Sequence, residues 1–224
     1  MCAASWLRFG PGLGLGLGVG CLLASCAVGP DATQRVAAAK AALDAAPICC
    51  ANLAAARRLP LPTRAAGFEV DVRSQAYRFN ASKAFFVLFE LPPYARPYSI
   101  AVTSLASGAL TDMTVFMPRI ALFDADFQPT RAYDEKMLRS RGNNVELTVF
   151  VNPANAGERY IAVYGADAAP PVERAYGKVS VTPVVVGRAV MNVYGGQDAT
   201  SVLRSAPVGS LRLDVMGLDS SVGK

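Results

Sequence analysis

The most reactive side chains in the sequence are its five thiols: Cys2 and Cys21 in the N-terminal segment, Cys26 just after them, and the adjacent pair Cys49-Cys50. No histidine accompanies them. Its absence removes the usual general base, the commonest metal ligand and the Ser-His-Asp triad. Two cysteines without histidine are also too few ligands for a structural zinc site. A bond between neighbouring cysteines is awkward, because consecutive Cα atoms lie about 3.8 Å apart while disulfides prefer about 5.5–6 Å. Cys49 and Cys50 therefore admit three readings: a redox or rigid-turn element, a strained structural turn or buried thiols, or pairing between molecules.

Oxygen ligands are the next chemistry to weigh. Asp112, Asp124 and Asp126 could offer carboxylates to calcium or form the acid pair of a glycosidase. They lack the dense acidic spacing of a strong calcium motif. Asp124 reads better as the end of a strand that caps the following turn. The sequence predicts no catalytic residue, no metal and no cofactor. A sugar-binding surface needs aromatic faces and polar side chains in a concave, preformed site. Tyr94 and Tyr98, near the Pro92-Pro93 turn, and Tyr133, after Asp124, are the candidate platforms, with Asp124 as a polar partner. Tyr160, Tyr164, Tyr176 and Tyr194 form a second group, of which Tyr160 and Tyr164 read as strand residues. The single tryptophan, Trp6, lies in the N-terminal segment.

That segment reads as an address. One positive charge, Arg8, precedes an apolar stretch from Phe9 to Ala24 that ends in Leu23-Ala24-Ser25-Cys26. An apolar run with a small-residue cleavage site predicts a secretory signal over residues 1–25. It is short and glycine-rich for a membrane span. Leucine three residues before the cysteine resembles the lipobox of bacterial lipoproteins. That resemblance implies diacylglycerol on the Cys26 sulfur and a fatty acyl group such as palmitate on the new amino terminus. Stable anchoring takes more than one acyl chain, and this arrangement supplies it. Ala27 and Val28 follow where an aspartate would mark retention in the inner membrane, so the expected location is the periplasm, on the outer membrane.

Residues 26–66 read as an alanine-rich helical arm and linker carrying Cys49-Cys50. Asp31 or Thr33 can cap a helix running to Ala46, and Pro47 stops it. Such a helix is marginal alone and must dock on something. Residues 67–224 read as strands. Alternating or aromatic runs cover Phe68–Val72, Ala76–Phe79, Ala84–Leu91, Tyr98–Ser104, Thr114–Asp124, Val145–Val151, Arg159–Tyr164 and Ser210–Val215. Pro118 inside the fifth run suggests an edge or a bulge. Asn152 to Gly157 makes a turn. Residues 165–209 predict a long excursion over one edge, with strand-like Tyr176–Val181 and a break at Gly195-Gly196. The fold class is mainly β: an antiparallel β-sandwich of about seven or eight strands with a short N-terminal helix.

The order of several motifs is similar to that in the maltose operon periplasmic protein (MalM) family. Cys49-Cys50 stands ahead of Leu59-Pro-Leu-Pro62, followed by Phe85-Phe-Val-Leu-Phe-Glu-Leu-Pro92. The strand ending Val102-Thr-Ser104 comes next, then Val115-Phe-Met-Pro-Arg-Ile-Ala-Leu-Phe-Asp124, the most specific of the set. The resemblance covers roughly Ala46 to Thr130 well and the C-terminal half loosely. It implies a non-enzymatic envelope protein associated with uptake of carbohydrates, chiefly maltodextrins. Expected partners are the membrane, through lipid on Cys26, and an oligosaccharide or an outer-membrane sugar-uptake component. The alanine-rich arm and the lipobox depart from typical members and leave the maltodextrin link open. The alternative is a structural or protein-interaction lipoprotein with no sugar role. The net charge of +5 is scattered, which argues against a nucleic-acid partner.

Overall fold

The computed structural model describes residues 31–80, 82–109, 111–166 and 170–218. The expected signal peptide and Cys26 lie outside the described residues. The chain enters through helix α1 (Ala32–Ala45). Asp31 caps it by accepting the Gln34 N–H at 2.7 Å. Asp112, far along the chain, accepts the Ala32 N–H at 2.6 Å. At the other end Lys83 Nζ donates to the carbonyls of Asp44 and Ala46. A helix leaves its first N–H groups and last carbonyls without internal partners, and here the body of the protein supplies several. Ala32, Ala39 and Leu43 are buried in that docking.

Fifteen strands follow among the described residues, against the seven or eight expected. They are β1 (Arg58–Pro60), β2 (Ala66–Val70), β3 (Gln75–Phe79), β4 (Ser82–Glu90), β5 (Tyr98–Leu105), β6 (Ser107–Ala109), β7 (Asp112–Phe116) and β8 (Pro118–Phe123). The rest are β9 (Pro129–Tyr133), β10 (Arg139–Arg141), β11 (Asn144–Val151), β12 (Tyr160–Gly165), β13 (Val172–Val186), β14 (Ala189–Ala206) and β15 (Gly209–Met216). The fold is mainly β, with one α-helix and three sheets among those residues. In the first sheet, β1 and β3 share one side of β4, and β12, β8 and β9 follow on the other. The second sheet runs β10-β11-β5-β15-β2, and the third β13-β14-β7-β6. Neighbours are antiparallel except β1 with β4 and β7 with β14.

The first two sheets share one core. Phe85 and Phe89 of β4, Ile120 and Leu122 of β8, and Ile161 and Val163 of β12 supply one side. Ile100 and Val102, Leu147 and Val149, and Leu211 and Leu213 come from the second sheet. The alternate residues of the first sheet are apolar too. Ala84, Phe86, Leu88, Ala121, Phe123, Ala162 and Tyr164 form a second core on its outer face, under Leu53 and Ala56 of the arm. Strands buried on both faces read as continuous apolar runs, which is how Ala84–Leu91 reads. The third sheet closes one end through Met113, Val115, Met117 and Leu203.

Two sequence expectations need correction. The run Thr114–Asp124 is not one strand. The chain turns at Met117, so β7 joins the third sheet and β8 the first. Phe116, fully buried at the corner, packs so close to Gly209 that a Cβ there would come within 2.8 Å of its own. The excursion over 165–209 is the long hairpin β13–β14, and β14 passes through Gly195-Gly196 without a break. The base of the hairpin is tied down where Val202–Ala206 pairs with β7.

The turn between β11 and β12 forms as expected, with Asn152 and Asn155 in a reciprocal cap. It carries the chain from the second sheet to the first. Glu158, 3% exposed, sits where it lands. Its carboxylate accepts Arg131 Nε at 2.8 Å and the terminal guanidinium nitrogen at 2.6 Å, and also the Thr130 hydroxyl. This bidentate pair ties the crossing to β9. Removing one partner of a buried pair leaves a desolvated charge, so Glu158→Ala is expected to cost about 3–5 kcal/mol in urea unfolding. Arg131→Met in the same chain should recover part of that loss. A Glu158→Ala protein as stable as the parent would reject the latch.

Candidate functional site

A cleft of about 500 Å³ opens on the outer face of the first sheet. Its floor is the second apolar core. Phe79 of β3 and Tyr164 of β12 stack there with centroids 4.0 Å apart and planes 11° from parallel. Phe123 and Ala121 of β8 continue the floor, and Tyr77 of β3 adds another ring. Asn52, which caps the short 3-10 turn Leu53–Ala55, stands on one wall. The loop between β8 and β9 stands on the other, presenting Asp126, Phe127 and Gln128. Asn80, at the end of β3, and Arg131 complete the polar rim.

The loop that carries Phe127 is locally held. Asp124 Oδ1 accepts the N–H groups of Asp126 at 2.9 Å and Gln128 at 2.8 Å. Phe127 adopts φ +59°, a left-handed conformation uncommon for a bulky residue. Its ring stacks on Tyr160 at 4.1 Å, and the Arg58 guanidinium lies 5.7 Å from its centroid. Strained backbone persists only where surrounding structure over-determines it. The stack and the Asp124 bonds do that here.

Cys49 and Cys50 are bonded to each other beside this site, their Cα atoms 3.8 Å apart. Cys49 donates its N–H to the Ala76 carbonyl at 2.8 Å, and Cys50 packs against the outer core. The pair fixes the arm at the start of the segment that supplies Asn52.

The four residues singled out for ligand binding are not gathered in the cleft. Tyr98 is 5% exposed and belongs to the central core, facing the same way as Ile100 and Val102. Tyr94 is half-buried against that core. Tyr133 is also half-buried, and its hydroxyl accepts from Arg131 at 2.9 Å. Asp124 shapes the cleft loop as a turn cap, the role its position suggested. Asp112 is remote from Asp124 and Asp126 in role, engaged by Ala32 and by Arg204 at 3.5 Å. Among the described residues, no three acidic or thiol side chains come together as a metal-binding group.

The sequence did not point to Phe127, Tyr77, Asn52 or Gln128. An aromatic residue at the tip of an Asp-capped turn was the available signal for Phe127. A second cavity of about 720 Å³ lies under α1, bordered by Lys40, Lys83, Ala166, Ser205 and Pro207. It is larger, but its one aromatic lining residue, Phe85, has no exposed surface. It offers sugar rings no platform. Comparison with family models, curated proteins and solved structures finds no match to this chain.

Tyr98 makes the electrostatics of this region measurable. Burial pushes its phenol up to about 12, the Glu158 carboxylate adds to the shift, and Arg159 and Arg131 oppose it. An unfolded tyrosine releases its proton near pH 10. The native state therefore binds this proton more tightly. Its stabilising contribution is complete below pH 10 and disappears as pH climbs to about 12. Tyr98→Phe is expected to flatten the fall in melting temperature across that window. An unaltered slope would show that another group controls alkaline unfolding.

Proposed function

We propose that the chain is a non-catalytic envelope lipoprotein that assists carbohydrate uptake, binding a maltodextrin-type oligosaccharide in the cleft above β3, β8 and β12. One observation carries the reading: an aromatic-floored cleft with Asn52, Asn80, Asp126, Gln128 and Arg131 around it. Apolar faces of sugar rings stack on aromatic rings, while amide, carboxylate and guanidinium groups take the hydroxyls. The motif order resembling the MalM family supports the same substrate class. In this reading the two facing sheets are a β-sandwich, and lipid on Cys26 tethers it to the outer membrane in the periplasm. No helix among the described residues is long and apolar enough to cross a membrane. The second reading, an interaction lipoprotein with no sugar role, is favoured by the exposed apolar side chains of β13 and β14.

Calorimetric titration with maltodextrins tests the binding half. Saturable heat is expected, with Phe127→Ala weakening it at least tenfold, about 1.4 kcal/mol. Gln128→Ala should weaken it less. Silence across a maltodextrin series would move the weight to the second reading. The anchor has a separate test. Intact mass of protein extracted from envelopes should show a lipid adduct on a chain beginning at residue 26, and an unmodified thiol there would remove the tether.

A further inference from the structure

The tip of the β13–β14 hairpin buries almost nothing. Val179, Val185, Val190 and Tyr194 are 68–71% exposed, and Val181, Val184, Val186, Met191 and Val193 are 41–60% exposed. Large contiguous apolar surface on a folded protein marks a contact with something apolar. Three observations name what that is.

The first is charge. Between Lys178 and Arg188, and again between Arg188 and Asp198, nine consecutive residues on each strand carry no ionisable group except the tyrosine Tyr194. The second is length. A strand crosses a bilayer in about 9–11 residues when tilted. Each charge-free arm matches that span, with Arg188 left at the far end beside Gly187. The third is alternation. Register places Val181 opposite Tyr194, Pro183 opposite Asn192 and Val185 opposite Val190, so these share one face with Val179. Asn192 is the only amide on it. The other face carries Ser180, Thr182 and Gly195 toward the base, with Ser180 bonded to the Gly195 carbonyl at 3.2 Å, and Val184, Val186, Met191 and Val193 from there to the tip. Over Val179–Thr182 apolar and polar residues therefore alternate as lipid-facing and lumen-facing residues do along transmembrane β-strands, and beyond them both faces are apolar.

We propose that residues 179–197 insert into a lipid bilayer as a transmembrane β-hairpin, the Val179–Val181–Val185–Val190 face toward the acyl chains. One hairpin cannot do this alone. Unpaired N–H and C=O groups cost several kcal/mol each in hydrocarbon, so spanning strands close into barrels. Both outer edges of the tip are free for this: β13 is the edge of its sheet, and β7 pairs with β14 only from Val202 onward. The β13 of one copy therefore joins the β14 of the next, a head-to-tail contact that closes as a ring. Pro183 removes one donor per copy from the ladder. The result is a pore whose wall comes from these hairpins and whose body stays at the membrane surface. The inference is independent of sugar binding in the cleft.

The test uses the full chain with vesicles of phosphatidylethanolamine and phosphatidylglycerol. Single substitutions Val179→Trp, Ser180→Trp, Val181→Trp and Thr182→Trp are read against the parent, with nitroxide quenchers on the lipid acyl chains. Strong quenching at 179 and 181 with weak quenching at 180 and 182 is expected, together with release of an entrapped dye. Val185→Asp should lower dye release at least tenfold, while Thr182→Asp retains it. Both sites are solvent-exposed in the free protein, so the melting temperature should not move. Vesicle binding without the alternating pattern or dye release would reduce the contact to a lipid tether and overturn the proposal. Association into oligomers in solution that shields the four positions without lipid would overturn it too.

Discussion

The first sheet is apolar on both faces, and the rest of the molecule follows from covering both. Phe85 and Phe89 alternate with Phe86 and Leu88 along one strand, and β8 and β12 repeat the pattern. Burying a phenylalanine or leucine side chain gains about 1.5–3 kcal/mol, so neither face can be left to water cheaply. The second sheet covers one side completely. The arm covers the other only in part, with Leu53, Ala56 and Cys50. The cleft is the uncovered remainder. Its aromatic floor is thus a by-product of a sheet that had to be apolar, and its polar rim is what the arm and the β8–β9 loop add.

Few charges are present, and several act as ties between distant segments rather than as surface ornament. Asp112 holds the start of α1, and Lys83 holds its end. Glu158 fastens the crossing between sheets to Arg131. Arg119 and Glu135 pair at 2.7 Å across the β9 turn, and the guanidinium holds that carboxyl below its usual range. In each case a polar group sits at a seam where backbone or side chain would otherwise lose water without replacement. These contacts add specificity of assembly to a core that is otherwise interchangeable hydrocarbon.

Much of this was legible in the sequence. The helix was marked by alanine, an Asp cap and Pro47. Strands β4, β5, β11, β12 and β15 were marked by runs or alternation that the sheets reproduce within a residue or two. The corner at Met117 was hidden because apolar residues continue through it on both sides, so periodicity does not change where the sheet does. Three-residue strands such as β1, β6 and β10 are too short to carry any period. Gly195-Gly196 looked like a break because glycine weakens a strand, yet cross-strand pairing overrode it. Tyr98 was misjudged from its neighbouring prolines. Its spacing from Ile100 and Val102 already placed it inward. Phe127 depended on a left-handed turn that only the folded Asp124 contacts produce.

The last strand, β15, does not lie at an edge. It sits between β5 and β2, pairing with residues 66–70 on one side and 99–105 on the other. Closing a loop of that length costs entropy before any contact repays it, and such non-local pairing is slow. Until the final segment emerges, β2 has no partner in the second sheet and the central core lacks Leu211, Leu213 and Val215. A nascent chain therefore holds an unsealed second sheet until β15 is made. The piece that seals the second sheet is the last of the described strands to be made.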